Sequence, residues 1–398
     1  MRKYKFNRLE LAGSLGDLGT LLPLALGMIL VNGLNPQGLF LAVGIFYVIS
    51  GAYFGVTVPV QPMKVIAAYA IATGLSSKQV QASGLLMALF LFIIGITGAI
   101  TLIGRYIPKP VVRGVQLSTG TLLMAQGVKF ILGKSTFQVL QDAAEPFLSV
   151  QSVGSLPIGI IIGSVGGILT FLFINNKRFP AGLLLIAGGT LIGLFLGVPE
   201  NLKRLSFAIG LPKLLPYGYP SKADLTFALL VLVLPQIPMT IGNAVVANVD
   251  LSREYFGDKS KKVTYRASCI SMALANLLSF FLGGMPLCHG AGGLAAHYRF
   301  GARTPGSNII IGSVFILLSI LFGKNALAVT YLIPMSVLGI LLLFAGSQLG
   351  LTILDIREKK DLFVVLMMLG ITLASNLAAG FVVGILVAYL LKHEKLAV

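Results

Sequence analysis

The chain is short of charge. Only 11% of its 398 residues are Asp, Glu, Lys or Arg, where a soluble globular domain carries about a quarter. With 56% hydrophobic residues and a mean hydropathy of +0.92, that scarcity excludes a soluble domain. The long, repeated apolar runs read as an all-α polytopic membrane protein embedded in a lipid bilayer. Cysteine is scarce too: Cys269 and Cys288 both fall in apolar segments, so no disulfide framework is expected. Three histidines, with no His-Glu-x-x-His, are too few for a metal site. No nucleotide-binding loop is present, so ATP does not drive the chain directly. Gly-x-Gly-Asp is missing because position 14 is Ser, and no second Asp stands in a matching span. The chain is therefore not expected to be an enzyme, and no cofactor is expected. Acids are few, 13 against 30 cations. The cations gather in short loops and not in a stretch interleaved with aromatics. Nucleic acid is set aside on that ground, and the positive-inside rule fits better.

About fourteen membrane segments can be placed. The first half gives 10–31, 38–56, 60–74 (short), 79–103, 110–132, 154–175 and 181–198. The second gives 224–248, 263–283, 288–298 (short), 306–322, 327–353, 361–375 and 376–391. The halves are thus 1–200 and 224–398, joined by a polar loop over 201–223. The basic N-terminus lacks a small-residue cleavage site after a short apolar core, so the first segment reads as a retained span. With both termini cytoplasmic, the inner face holds most of the cations. These are Arg2, Lys3, Lys5, Arg8, Arg105, Lys109, Arg113, Lys177 and Arg178, then Arg253, Lys259, Lys261, Lys262, Arg266, Arg299 and Arg303, and last Arg357, Lys359, Lys360, Lys392 and Lys395. The flipped orientation reverses the ratio, so a cell-membrane protein with both ends inside is expected.

The halves repeat. Pro59 and Gln61 align with Pro286 and Cys288 at an offset of 227 residues. Ile107, Pro108 and Gly120 align with Ile333, Pro334 and Gly346 at 226. Leu15-Gly-Asp-Leu-Gly-Thr20 resembles Leu234-Pro-Gln-Ile-Pro-Met239 at 219, with helix breakers recurring at the same places. Seven spans is an odd number, so the second repeat is inverted. Inverted repeats place a site near the midplane, beside short broken helices, here the third and tenth.

The chemistry gathers at those breaks. In Gln61-Pro-Met63-Lys64, Pro62 suits the first turn of a helix that starts inside the membrane. In Cys288-His289-Gly290-Ala291-Gly292-Gly293, glycines open the backbone N–H groups to a ligand. Two helix starts facing one another form an anion site, and Lys64 adds a full charge where ionisable groups are costly. The bland alternative has Lys64 snorkelling or pairing with an acid. Asp17, mid-span, is either a structural partner or a proton carrier. Gln236, Thr240 and Asn243 share one helical face and either bridge helices or line the cavity. His289 could donate to an oxyanion or shuttle protons; His297, two turns on, reads as structural. Arg299 and Arg303 read as positive-inside anchors.

Gly16-Asp-Leu-Gly-Thr20 with Pro23, Gln61-Pro-Met-Lys64, and Pro286-Leu-Cys-His-Gly-Ala-Gly-Gly293 with Phe300-Gly-Ala-Arg303 resemble the molybdate transporter family. That family is a distant branch of the sulfate permease superfamily, and the resemblance covers essentially the whole chain. It implies a seven-plus-seven inverted repeat. A core domain (spans 1–4 and 8–11) would move against a gate domain (spans 5–7 and 12–14). The implied function is secondary active transport of a tetrahedral oxyanion, molybdate first, by alternating access. Sulfate or tungstate transport, or an anion channel, are the alternatives. The anion would lie between spans 3 and 10, among Gln61, Met63, Lys64, Gln236, Thr240, Asn243, Cys288, His289, Gly290 and Ala291, with proton coupling through Asp17. A homodimer through the gate domains is compatible. The chain stops at Val398, leaving no room for the regulatory domain of sulfate permeases, so dimerisation through that domain is not expected.

Overall fold

The computed structural model describes residues 4–100, 108–173, 176 and 180–392. Arg2, Lys3, Arg105, Ile107, Lys177, Arg178 and Lys395 of the readings above lie outside them. The chain is mostly helical. Among the described residues, seven helices are long and apolar enough to cross a membrane: Arg8–Leu30, Pro36–Phe54, Ser77–Thr97, Lys222–Ser260, Tyr265–Leu282, Gly306–Thr330 and Met335–Asp355. It is a multi-pass membrane protein.

In the first half the elements are α1 (Arg8–Ser14), α2 (Leu18–Leu30), α3 (Pro36–Phe54), β1 (Gln61–Pro62), α4 (Lys64–Thr73), α5 (Ser77–Thr97), α6 (Lys109–Ile131), α7 (Ile158–Phe173) and α8 (Ala181–Leu196). The second half gives α9 (Lys222–Ser260) and α10 (Tyr265–Leu282), β2 (Leu287–Cys288) and α11 (Ala291–Arg299). It ends with α12 (Gly306–Phe322), α13 (Met335–Gly350), α14 (Lys359–Ala374) and α15 (Leu377–Leu390). Helix ends follow local chemistry. Asn35 Oδ1 accepts from Gln37 N at 3.0 Å to start α3, and Ser76 and Gln79 form a capping box on α5. Both arrangements satisfy donors that a helix start leaves open.

Two groups of helices result. In one, α3 packs on α12 and α5 on α10. In the other, α6 lies along α13 and also touches α14 and α15. The α6–α13 crossing is made by glycines. A Cβ on Gly120 would fall 2.5 Å from the Gly346 carbonyl oxygen, and one on Gly346 would fall 2.5 Å from that of Gly120. Gly127 and Gly339 meet in the same reciprocal way. Small residues let backbones touch where lipid offers no hydrophobic drive between helices.

Two expectations about breaks come out differently. Leu15–Asp17 does interrupt the first span between α1 and α2. Its counterpart around Pro235 and Pro238 does not break α9. Those prolines instead lie between two π-helical stretches, Ala228–Val233 and Thr240–Ala247. A wider turn absorbs the missing N–H groups without ending the helix. Pro62 lies in β1, and α4 begins two residues later, at Lys64. The Pro62 carbonyl is held there by the Cys288 thiol at 3.7 Å.

The loop between the halves is tied across the first group. Leu215 N donates to Phe281 O at 2.7 Å. The Tyr217 hydroxyl accepts from Asn35 N and donates to Gly33 O at 3.2 Å. Burial pushes this phenol up to about 12, so it keeps its hydrogen.

Candidate anion site

The two interrupted stretches pair with each other. β1 and β2 are antiparallel, with Gln61 opposite Cys288 and Pro62 opposite Leu287. Met63 N donates to Pro286 O at 2.9 Å. His289 fastens the two stretches a second time. Its Nδ1 lies 2.8 Å from Pro59 O and its Nε2 3.1 Å from Ser271 Oγ. A carbonyl only accepts, so Nδ1 carries the hydrogen and Nε2 accepts from Ser271. The ring sits against Phe46 and Phe54. Both nitrogens are thus used within the protein, and the ring joins the breaks instead of facing an anion. His297 is buried, with Nδ1 2.9 Å from Thr57 Oγ1. Arg303 lies over the Tyr298 ring at 3.5 Å and donates to the Tyr298 and Ala302 carbonyls.

The two short helices start differently. Neither N-cap residue, Met63 or Gly290, offers a side-chain cap. At α4 the cap comes from α9: Gln236 Oε1 accepts from Val65 N at 3.0 Å and from Ile66 N at 3.3 Å. Its Nε2 donates to Thr240 Oγ1 at 2.9 Å. At α11 no such cap exists. Gly293 N and Leu294 N turn back to Gly290 O, but the N–H groups of Ala291 and Gly292 find no acceptor among the described residues.

In front of these open donors lies a cleft of about 610 Å³ between the two helix groups. Lys64, Asn243 and Gly292 line it, together with Gly16, Gly19 and Thr20. Ala295, Ala296, Arg299 and Phe300 form one wall; Phe344, Ala345 and Gln348 of α13 form the other. Lys64 is half-buried and makes no ion pair among the described residues. A Cβ on Gly292 would come within 3.9 Å of its Nζ. An ammonium and the open start of α11, through Gly292, thus border one space, which suits an anion.

The other expected residues sit behind this space. Gln61 Nε2 donates to Asp17 Oδ1 at 2.6 Å. Gly290 makes room for protein, since a Cβ there would fall 1.8 Å from Gln61 Oε1. Met63, Thr240 and Cys288 are buried. Thr20 and Gln116 line the cleft although the sequence reading did not single them out as ligands.

Short half-helices meeting at the middle of a two-part helical bundle, with a charged cleft in front, define a membrane transporter. The fold is that of the transmembrane domain of a cyanobacterium bicarbonate transporter, BicA, at a TM-score of 0.65 and 17% identity, covering 97% of this chain and 98% of that one. It is also that of murine Slc26a9, an anion transporter in the inward-facing state, at 0.67 and 15%, covering 98% and 69%. The family model described as "Molybdate transporter of MFS superfamily" matches residues 9–123 and 228–349. Molybdate transporter 1 of Arabidopsis thaliana is 32% identical over 410 residues, 94% of this chain and 86% of that protein. Molybdate transporter 2 of the same plant is 32% identical over 421 residues, 97% and 88%. The chain belongs to the molybdate transporter family, and its fold follows the bicarbonate and Slc26 transporters.

Proposed function

We propose that the chain is a secondary active transporter of a tetrahedral oxyanion, molybdate, working by alternating access. The observation that carries the reading is that Lys64 and Gly292, whose N–H is open at the α11 start, line one cleft. Molybdate is the solute its relatives are named for. Sulfate and tungstate share its shape and charge, and are the alternatives. The anion is held chiefly by Lys64 and the α11 start, with Asn243 and Thr20 beside it. Gln61, Gln236, Thr240, Cys288 and His289 shape the site from behind.

The helix packing supports a seven-plus-seven inverted repeat and two access states. Exchanging each span with the one seven places on maps the α3–α12 pair onto α10–α5 and leaves α6–α13 unchanged; all three pairs exist. The same exchange maps α4–α6 onto α11–α13. Here the halves differ: α4 packs on α6, whereas the cleft separates α11 from α13. One side is closed and its equivalent open, and the opposite state swaps them. With cytoplasmic termini the opening faces the cytoplasm. Cysteine labelling from outside should then reach a site beside Lys203 and miss one beside Lys261; labelling at Lys261 in intact cells would reverse the orientation.

The deciding experiment is labelled molybdate uptake into proteoliposomes against excess sulfate, tungstate and phosphate. Saturable uptake with counterflow, resisted by sulfate, is expected. Non-saturating flux without counterflow would make the chain a channel, and stronger competition by sulfate would change the substrate. Asp17 is the proposed proton carrier, so Asp17→Asn should lose pH-driven accumulation and keep exchange.

A further inference from the structure

The Asp17–Gln61 pair is short of a donor. Asp17 is 2% exposed and Gln61 fully buried. Their one mutual bond, Gln61 Nε2 to Asp17 Oδ1, leaves Asp17 Oδ2 and Gln61 Oε1 without hydrogen-bond partners among the described residues. An unsatisfied buried polar group costs about 1–3 kcal/mol, and more when charged. Two such oxygens on bonded groups call for an explanation.

The surroundings exclude the simplest one. The second break packs tightly against both atoms: a Cβ on Gly293 would fall 2.5 Å from Oδ2, and one on Gly290 would fall 1.8 Å from Oε1. The open cleft is lined by Thr20, Lys64 and Gly292, and by neither Asp17 nor Gln61. The ionisable groups that feel Asp17 are Lys64, Tyr47 and Cys288, and the Thr20 hydroxyl stands beside its carboxyl without a hydrogen bond to Oδ2. Tyr47 gives its hydroxyl to Val60 O at 3.2 Å, and the Cys288 thiol points to Pro62 O. An ionised carboxylate and an amide oxygen both only accept, whereas a carboxylic acid brings one O–H donor. A proton needs no cavity; a metal ion does.

We propose that the Asp17–Gln61 pair holds a proton in this conformation, on Asp17 Oδ2. The pair then acts as one acid–amide unit. It links the interruption of the first span to the start of α4, and the Lys64 charge remains for the anion. This deepens the coupling role proposed above and rests on it only for its use in transport. The proton itself needs no substrate to be seen.

Infrared spectroscopy of the purified protein in lipid at neutral pH tests it. A protonated-carboxyl C=O band is expected, displaced by heavy-carbon labelling of aspartate carboxyls, lost in Asp17→Asn and moved to higher wavenumber in Gln61→Leu. The label requires no substitution, so a folding failure does not block the test. Absence of any label-sensitive protonated band, or a band unmoved in both variants, overturns the proposal. So does a sodium-dependent rise in melting temperature that Asp17→Asn removes, which would put a metal cation at the pair. Molybdate takes no part in the measurement, so its failure leaves the transport reading intact.

Discussion

Gln236 Oε1 accepts the Val65 N–H at 3.0 Å, reaching from α9 to the start of α4. A neutral amide therefore occupies the donors that a second half-helix could have given to an anion. The proposed anion site is then one-sided, with the α11 start open and the α4 start filled. Gln236→Ala should cost about 1–3 kcal/mol of stability, because Val65 and Ile66 lose their shared acceptor. Molybdate affinity should change far less than in Lys64→Ala. Calorimetry beside a thermal melt separates the two effects. An affinity loss as large as that of Lys64→Ala would place Gln236 on the anion.

Gly120 and Gly346 approach so closely that each fills the space of the other's absent Cβ. Adding a methyl group there overpacks the crossing of α6 and α13, at a typical cost of about 1–3 kcal/mol. Gly120→Ala should lower the melting temperature of the detergent-solubilised protein. Gly167→Ala, where nothing lies within 4 Å, should not. Equal melting temperatures for the two variants would refute the close crossing.

Glu145 carries a pH signature. Its carboxylate accepts from Met335 N and Ser336 N, both at 2.8 Å, and so caps α13 from a neighbouring loop. Burial nonetheless raises its carboxyl above the ordinary 4.5. A raised native value means that the folded state holds the proton to higher pH than the unfolded state. The resulting stability is fully present below about 4.5 and is lost as pH rises through the native value. Glu145→Gln cannot titrate. The melting temperature of the parent, relative to this variant, should therefore fall as pH rises from 4.5. A constant or rising difference would show that the two N–H groups outweigh burial.

Much of the architecture could be read from spacing alone. Gln61 and Cys288 align at one offset in the sequence, and the same two residues stand opposite each other between β1 and β2. Gly120 and Gly346 align at a neighbouring offset and touch. Residues that align between the halves are thus neighbours in the fold at both places. Reach could not be read in that way. Gln236, Thr240 and Asn243 share one face that could bridge helices or line a cavity, and the fold divides the roles: the Gln236 amide turns to α4 while Asn243 lines the cleft. Periodicity gives the face of a helix but not how far a side chain extends from it. His289 likewise has the chemistry of an anion donor, and only the fold shows both its nitrogens engaged. The polar pattern did offer a signal for Thr20, one helical turn beyond Asp17, and for Gln116, one helical turn beyond Arg113.

The neighbouring glycines of α11 should behave oppositely when altered, and Lys64 sets the scale. Lys64 brings a full charge to the cleft lining beside Gly292, and a charge-assisted bond is worth about 1.5–3 kcal/mol. Lys64→Ala should therefore weaken molybdate binding roughly tenfold to a hundredfold. Gly292 borders that space, and a Cβ there meets only Lys64 Nζ, at 3.9 Å. Gly292→Val should thus fold normally and still bind poorly, since its side chain enters the proposed anion space. Gly290 borders protein instead, and even a methyl would fall 1.8 Å from Gln61 Oε1. Gly290→Ala should displace Gln61 from Asp17 and lower the melting temperature, whatever it does to binding. The measurements are affinity by calorimetry and stability by thermal melt on monodisperse protein. A Gly292→Val variant and a Lys64→Ala variant that both bind as tightly as the parent would move the anion away from this cleft. A Gly290→Ala variant as stable as the parent would show that Gln61 is not packed against the second break.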